Sequence, residues 1–249
     1  VPSVWREPFG IAAVEAMGHR FTLVDPPDPA ELVSVGVSTA PYLYTAIVDL
    51  DLPYDDAVSS IPATVATLEP LDASHVASLA EAASDGELWQ LWYTGVASPH
   101  RMGEYVATAL DMRERFDAMP FAVRDATGSV VGCTRFFNVD VANRRVEIGH
   151  TWYAKRVQRT PLNTECKLLL LTHAFEKLGC IAVEFRTHWF NQASRAAIAR
   201  LGAKQDGVLR NHQVSADGVK RDTVVFSIID SEWPAVRKHL GFQLERPRG

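Results

Sequence analysis

The sequence predicts a mixed α/β fold in which a mostly antiparallel sheet carries helices on both faces. Three strand candidates, at residues 121–124, 129–137 and 145–152, follow one another without a helix between them, which indicates antiparallel pairing. A strand, a long apolar helix and a second strand then follow between residues 145 and 187, and this unit predicts one parallel pair. The 47% hydrophobic and 22% charged content is ordinary for a soluble globular protein.

The first half of the predicted domain begins with a strand at residues 64–69. Asp72 or Ser74 can cap the helix that follows, because both side chains offer an oxygen to unpaired N–H groups of a first turn. Ser98 and Pro99 predict a second helix, since a capping hydroxyl precedes a proline at the first helical position. We expect Pro120 to end this helix, because proline interrupts helical hydrogen bonding.

The second half begins with a hairpin turn at residues 125–128, which read Asp-Ala-Thr-Gly. A long apolar helix is predicted from residue 164 to residue 178, with Gly179 at its C-cap. A strand at residues 181–187, a helix opened by residues 191–194 and a final hairpin of residues 207–214 and 222–229 complete the domain. The predicted order is β-α-α-β-β-β-α-β-α-β-β.

The chain divides into an N-terminal appendage, residues 1–59, and a main domain, residues 60–249, because the composition shifts near Pro62. Within the appendage, Glu7 and Glu15 are separated by seven residues. This spacing resembles the E-x7-E signature of retaining two-Rossmann glycosyltransferases, in which the pair contacts the sugar nucleotide; the resemblance covers residues 1–35. The chain has no room for two nucleotide-binding domains, so we expect this segment not to be catalytic.

Charge and cysteine content narrow the choice of partner and compartment. The net charge of −5 and the pI near 5.9 argue against nucleic acid as a partner, because phosphate binding usually needs a basic face. Cys133, Cys166 and Cys180 are an odd number without metal-ligand spacing, so we expect buried free thiols and no metal. With no signal peptide or bilayer-length apolar run in the sequence, we expect a cytoplasmic protein without a membrane partner.

The segment around residues 145–201 carries the strongest functional signal. A strand feeds a polar loop, residues 158–163, and that loop opens the long apolar helix. The first turn of a helix has unpaired N–H groups and the positive end of the helix dipole, so this arrangement predicts an anion site. An ordinary loop before a core helix is the alternative interpretation.

Several strings in register carry a family resemblance: EIG at residues 147–149, NTE at 163–165, KLLL at 167–170, THAFE at 172–176 and NQAS at 191–194. In order and spacing the segment resembles the acyl-CoA-binding core of the GNAT acetyltransferases. Within that superfamily it is most similar to the ribosomal-protein-alanine N-acetyltransferase branch, over residues 63–233. The resemblance implies the GNAT fold, acetyl-CoA as co-substrate, and direct acetyl transfer to a primary amine.

The resemblance also implies which residues contact coenzyme A. The backbone of Trp152, Tyr153 and Ala154 would pair with the pantetheine arm, and Asn191 would contact that arm or only cap its helix. The pyrophosphate would lie on the residues of the loop and the helix start: Gln158, Arg159, Thr160, Asn163 and Thr164. Pro161 stands where the superfamily usually has a glycine, and it removes one N–H donor.

Three residues are the candidates for catalysis. The resemblance implies that Glu147 activates the amine through a water, although a structural ion pair with Arg145 or another cation is an equal alternative. By alternation we expect His150 on the same strand face, where it can supplement or replace Glu147; His173 and His188 are weaker candidates. Ser194, in the first turn of its helix, would protonate the leaving thiolate.

The acceptor side is the least constrained part of the sequence. Trp89, Trp92 and Tyr93 can wall an acceptor pocket or belong to the core, and Arg210 can bind a polar acceptor or form a surface salt bridge. The acceptor is a protein N-terminal α-amine or a small-molecule amine, and the sequence leaves open whether the protein is a homodimer. The alternative function is a non-catalytic acyl-CoA-binding or scaffold module.

Overall fold

The computed structural model describes residues 65–215 and 217–246, so the appendage with its glycosyltransferase-like segment lies outside the described residues. The strands are β1 (Ala66–Pro70), β2 (Ala118–Asp125), β3 (Val130–Asp140), β4 (Arg145–Tyr153), β5 (Ala182–His188), β6 (Lys204–Val214) and β7 (Lys220–Ile229). The helices are α1 (Val76–Ser84), α2 (Met102–Glu114), α3 (Leu162–Thr172), α4 (Gln192–Arg200) and α5 (Trp233–Glu245). The predicted element order is confirmed, with α5 added after the last strand.

The strands form one sheet in the order β1-β2-β3-β4-β5-β7-β6. Only β4 and β5 pair in parallel, and every other neighbouring pair is antiparallel. The mixed sheet predicted from the strand–helix–strand unit is therefore confirmed. Because crossovers between parallel strands are right-handed and both proceed in the same direction across the sheet, α3 and α4 cover the same face.

The two faces of the sheet carry different helices. On the front face, which bears Cys133 and Glu147, Tyr105 of α2 places its hydroxyl 3.0 Å from the Cys133 thiol. On the back face, which bears Thr134 and Phe136, α3 packs against the sheet, and nearly all of its residues are buried. The helix α5 packs against α3 and against the turn that follows it, where Trp233 stacks on Phe175 with ring centroids 5.2 Å apart. Helices on both faces are confirmed.

The second helix ends earlier than predicted. It stops at Glu114, Phe116 adopts a left-handed φ of 63°, and Pro120 lies inside β2 instead of ending the helix. The Pro120 carbonyl accepts a hydrogen bond from the Leu71 N–H on the β1 side. The Pro120 nitrogen points to that same side at the end of the short strand β1, so no bond of the ladder with β3 is lost.

Two other helix boundaries also differ from the prediction. The Ser98 side chain makes no capping hydrogen bond, and the turn that Pro99 begins is a 3₁₀ turn ahead of α2. The long apolar helix changes to a π-helical turn at His173–Lys177. Gly179 follows with a positive φ of 61°, as expected of a residue just after a helix end.

Candidate active site

The parallel strands β4 and β5 separate after a short region of pairing. Their register is Arg145 with Ala182, Val146 with Val183, and Glu147 with Glu184, and there it ends. Beyond Glu147, β4 continues to Tyr153 along β3, while β5 continues to His188 along β7. The two facing edges therefore carry backbone groups that do not pair with each other. We call this opening between residues 148–153 and 185–188 the wedge.

A β-bulge in β4 lies at the edge of the wedge. Arg135 of β3 pairs with Gly149 and Cys133 pairs with Trp152, so the single residue Thr134 faces both His150 and Thr151. His150 has a left-handed φ of 48°. The bulge places His150 on the front face with Glu147, where its ring lies 5.1 Å from that of Phe137. The expected face is right, but alternation is the wrong reason, because residues three apart in a regular strand point to opposite faces.

Glu147 is a buried carboxylate held by two partners. The Asn138 amide donates to it at 2.8 Å, and the Arg186 guanidinium lies 3.4 Å from the same oxygen. Burial raises the pKa of Glu147 above its ordinary value, and the Asn138 hydrogen bond and the Arg186 charge only partly oppose that rise. Arg145 pairs with Glu184, so the cation beside Glu147 is Arg186 and not Arg145. A structural ion pair of Glu147 with a cation is therefore present.

His150 is a weak base in this structure. Part of His150 is accessible to solvent, but protein atoms surround much of its ring. This burial, and then the charge of Arg135, lower the pKa of His150 to about 4. The ring is therefore neutral at neutral pH. It can accept a hydrogen bond there, but it holds a proton much less readily than an ordinary histidine.

The loop before α3 bonds partly to itself. The Gln158 amide donates to the Tyr153 carbonyl at 2.9 Å, closing the rim of the wedge. The Thr160 hydroxyl accepts from the Leu162 N–H at 3.3 Å, and Arg159 has a left-handed φ of 63°. One N–H at the start of α3 is therefore already bonded to the loop, and Pro161 supplies none.

The helix start still offers donors to an anion. Within the described part of the chain, the N–H groups of Asn163 and Thr164 have no hydrogen-bond acceptor. The Asn163 side-chain oxygen is buried and has no partner among residues 65–215 and 217–246, while the Thr164 hydroxyl accepts from Arg200 at 3.0 Å. The arrangement fits a phosphate held by main-chain N–H groups, with the hydroxyl of Thr164 turned away.

The start of α4 lies next to the wedge, at the end of β5. The Asn191 side chain accepts from the Ser194 N–H at 3.0 Å, which makes Asn191 the N-cap of this helix. The capping interpretation is confirmed. The Ser194 side chain is not fully buried and remains able to meet a ligand.

Aromatic rings from distant parts of the chain meet at the end of β5. The Trp92 ring lies 5.0 Å from His188, 5.7 Å from Tyr93 and 5.6 Å from Phe190. We call these four residues the aromatic cluster. Trp92 is 62% exposed and Phe190 58% exposed, so the cluster borders solvent as a pocket wall would.

Two of the residues predicted for the acceptor side are not part of this cluster. Trp89 is in a 3₁₀ turn and makes no ring contact with the cluster among the described residues. Arg210 forms an ion pair with Asp222 in which the arginine side chain is 80% exposed, so the surface salt bridge is the arrangement observed.

The sequence ranked His188 below His150 as a candidate base, and the structure places His188 in the aromatic cluster. It is buried at the centre of the aromatic cluster, and its Nδ1 accepts from the Phe190 N–H at 3.1 Å, which assigns the proton of the neutral ring to Nε2. Burial, followed by the charge of Arg221, lowers its pKa. The sequence signal was its position at the strand end before an Asn-capped helix.

Lys167 was also missed, although a lysine before four leucines in a helix is unusual. Its buried ammonium donates to the Thr151 hydroxyl at 2.9 Å and the Thr134 hydroxyl at 3.1 Å, directly behind the bulge. Among the described residues, no carboxylate pairs with it. Burial lowers the pKa of Lys167 to about 8.

The described residues contain neither a metal-binding cluster nor a membrane-spanning helix. No group of three or more His, Cys, Asp or Glu could hold a metal ion, and no helix has the length and apolar character needed to cross a bilayer. The three cysteines are buried and free, as predicted.

Comparison with known proteins identifies a common family. Residues 66–204 match the profile of the acetyltransferase (GNAT) domain. The chain is 28% identical over 173 residues to the "Putative ribosomal N-acetyltransferase YdaF" of Bacillus subtilis (strain 168), covering 68% of this chain and 92% of that protein. The glycosyltransferase-like segment, residues 1–35, lies outside the residues that match the GNAT profile.

Solved structures have the same fold. A GCN5-related N-acetyltransferase from Brucella melitensis is 33% identical with a TM-score of 0.66, covering 72% of this chain and 82% of that one. Mycobacterium smegmatis RimJ, solved in complex with CoA-disulfide, is 22% identical with a TM-score of 0.61, covering 73% and 90% of the respective chains. The second likeness is one of fold alone.

Proposed function

The chain belongs to the GNAT acetyltransferase family, and from that membership we propose that it transfers the acetyl group of acetyl-CoA directly to a primary amine. One observation carries the proposal: the β4–β5 ladder ends at Glu147 and Glu184, beside a helix start with unpaired N–H groups. An extended ligand can pair with the free strand edges, and its phosphates can lie on the N–H groups of Asn163 and Thr164.

Acetyl-CoA supplies the acetyl group as co-substrate. The edge formed by Trp152, Tyr153 and Ala154 would hold its extended arm, with Asn191 at the opposite side. Gln158 would have to release the Tyr153 carbonyl, to which it is bonded at 2.9 Å, for that carbonyl to accept from the arm. Gln158, Arg159 and Thr160 would frame the pyrophosphate with the helix start.

Glu147 is our proposed general base. A protein α-amine has a pKa of about 7.7–8.0, so most of it is protonated at neutral pH and must lose that proton before it attacks. A buried carboxylate with a raised pKa holds a proton better than an ordinary glutamate, and the nearby Arg186 guanidinium favours its ionised form. It would take the proton directly or through one water. His150, with its pKa of about 4, would serve only as a hydrogen-bond acceptor.

Two further negative charges develop in the reaction, on the thioester oxygen and on the leaving sulfur. Groups of the bulge and of α4 would stabilise them. A main-chain N–H near Thr151 would stabilise the negative oxygen that develops on the thioester carbonyl. The Ser194 hydroxyl would give a proton to the thiolate of coenzyme A as the carbon–sulfur bond breaks. The acetyl group moves directly from sulfur to nitrogen through the tetrahedral oxyanion, without a bond to the enzyme.

The acceptor we favour is a polypeptide α-amine, and a small-molecule amine is the alternative. Support comes from the names of relatives: the Bacillus protein is described as a ribosomal N-acetyltransferase, and RimL, with 20% identity, as a ribosomal L7/L12 α-N-protein acetyltransferase. The aromatic cluster would form the wall against which the acceptor packs, with Trp92 and Tyr93 as its contacts.

The test is acetyl transfer by the purified full chain. We expect free thiol release from acetyl-CoA when peptides and small amines are supplied, with an equal amount of acetylated amine by mass spectrometry. Calorimetry should show saturable acetyl-CoA binding. Absence of such binding would overturn the proposal.

A second candidate function is acyl-CoA binding without turnover. It is favoured by the loop before α3, where Pro161 offers no N–H and Thr160 already accepts from Leu162. Acetyl-CoA binding without transfer to any member of a broad amine panel would select this candidate over the first.

A further inference from the structure

The front face between β4 and β7 carries one cation more than its carboxylates balance. Arg145 pairs with Glu184, and Arg186 bridges Glu184 and Glu147. Two carboxylates therefore meet two guanidinium groups. Arg221 is the third guanidinium that β4, β5 and β7 place on this face, and no carboxylate among the described residues lies within ion-pair distance of it.

The register of the sheet directs Arg221 toward the aromatic cluster. On β7, Thr223 pairs with His188 and Val225 with Arg186, so Arg221, two residues before Thr223, shares their face. It lies just beyond the last pair of β5 and β7. Burial lowers the pKa of His188 and the charge of Arg221 adds to that effect, whereas burial raises the pKa of Glu147 and the charge of Arg221 is among the effects that oppose the rise. The guanidinium therefore acts on both sides of the wedge.

Arg221 also has an unused donor. Its Nε–H is buried and has no hydrogen-bond partner among the described residues. A buried donor left without an acceptor is costly, and native structures rarely retain one unless a ligand or water completes it. The fork of an arginine side chain, with Nε and one Nη, matches the two oxygens of a carboxylate.

We propose that Arg221 binds a carboxylate on the amine acceptor, so that the preferred substrates are amines that carry a negative group close to the reacting nitrogen. This inference rests on the proposed function. The carboxylate would balance the excess charge of the front face and accept the buried Nε–H, while Glu147 stays opposite the amine. Two sources supply this chemistry: the α-carboxylate of a free amino acid, or an acidic residue next to a peptide N-terminus.

The experiment uses matched acceptors with the full chain. Peptides that begin Ala-Asp and Ala-Asn, and methionine beside methioninamide, differ in one negative charge each. We expect the charged member of at least one pair to have the higher kcat/KM, by roughly 10- to 100-fold for a charge-assisted hydrogen bond. Preference in the peptide pair alone identifies an acidic side chain as the carboxylate that Arg221 binds. Preference in the amino-acid pair alone identifies the α-carboxylate of a free amino acid.

Variants identify the group responsible. Arg221→Gln should reduce that preference to near onefold, mainly through KM, and Arg221→Lys should keep part of it. Arg237→Gln, which removes an arginine of α5 that pairs with Glu176, is the matched control and should leave the preference intact. Equal rates within both pairs for the wild type, or an unchanged preference in Arg221→Gln, would overturn the inference. Transfer to no amine at all would instead overturn the proposed function.

Discussion

Glu147 and Lys167 are buried charges on opposite sides of the same strand, and they are stabilised in different ways. Glu147, on the front face, has a guanidinium and an amide as partners. Lys167, on the back face, has only the hydroxyls of Thr134 and Thr151. Burial disfavours the charged form of both groups, so the pKa of Glu147 is raised and the pKa of Lys167 is lowered.

The difference indicates what each charge can do. The ion pair keeps Glu147 available as a carboxylate whose proton affinity is moderately raised, which suits repeated proton transfer. Lys167 remains a cation only at the expense of folding stability, because dipoles of two hydroxyls replace a full countercharge. Substitutions on the two sides of β4 should therefore affect different measurements: rate on the front, stability on the back.

The largest expected effect is that of Glu147→Gln. Removing a general base lowers the rate by roughly 100-fold or more. The loss should be greatest below the pKa of the acceptor amine and should shrink above it, where the amine is already neutral. The measurement is kcat/KM against pH, with Glu176→Gln on the back side as the control. An unchanged pH–rate profile would remove Glu147 from the role of base.

Lys167→Met should raise stability at neutral pH. The pKa of Lys167 falls from 10.5 to about 8 on folding. At about 1.4 kcal/mol per unit, the charged form therefore costs roughly 3 kcal/mol below pH 8. Loss of two hydrogen bonds offsets part of this, which leaves a gain of about 1–2 kcal/mol.

The sign of the pH dependence follows from the lowered folded pKa. Between pH 8 and 10.5 the unfolded chain binds more protons at Lys167, so the wild type gains stability from this group as the pH rises through that window. The advantage of Lys167→Met should therefore be full at pH 7 and shrink toward pH 10.5. Urea unfolding of both proteins at pH 7 and pH 10 measures it; a pH-independent difference would contradict the assignment.

Asn138→Gly should have the smallest effect. The substitution removes the amide that donates to Glu147 and keeps the left-handed φ of 49° unstrained. Without this donor the pKa of Glu147 rises further, so the acidic limb of the pH–rate profile should move to higher pH. The rate at the plateau should change little. A shift to lower pH would show that Asn138 does not stabilise the carboxylate.

Local sequence patterns predicted most of the fold. Alternation and turn residues located the strands, and the helix between residues 145 and 187 implied the one parallel pair. Pro120 and α5 were exceptions. The strand β2 accommodates Pro120 because the proline nitrogen faces the end of β1. That position depends on how the strands pair and cannot be inferred from the residue type.

The site was predicted less well because its residues converge from separate elements. Glu147 and the loop before α3 follow from the order of strand, loop and helix. The contact between Trp92 and His188, 5.0 Å between ring centroids, joins a loop near α1 to the end of β5. No periodicity in either segment specifies that contact, so Trp92 was a candidate and His188 a weak one.

Residue patterns a few positions long determine the order of elements, because alternation, capping and turn chemistry are local. The same patterns predict the crossover through α3 that opens the wedge and the helix start that faces it. The face occupied by His150, the unpaired ammonium of Lys167 and the excess charge at Arg221 depend on which strands lie side by side and in what register. Those relations arise only when the strands pair into the sheet. A one-residue bulge then redirects side chains, and packing determines which charges have a partner.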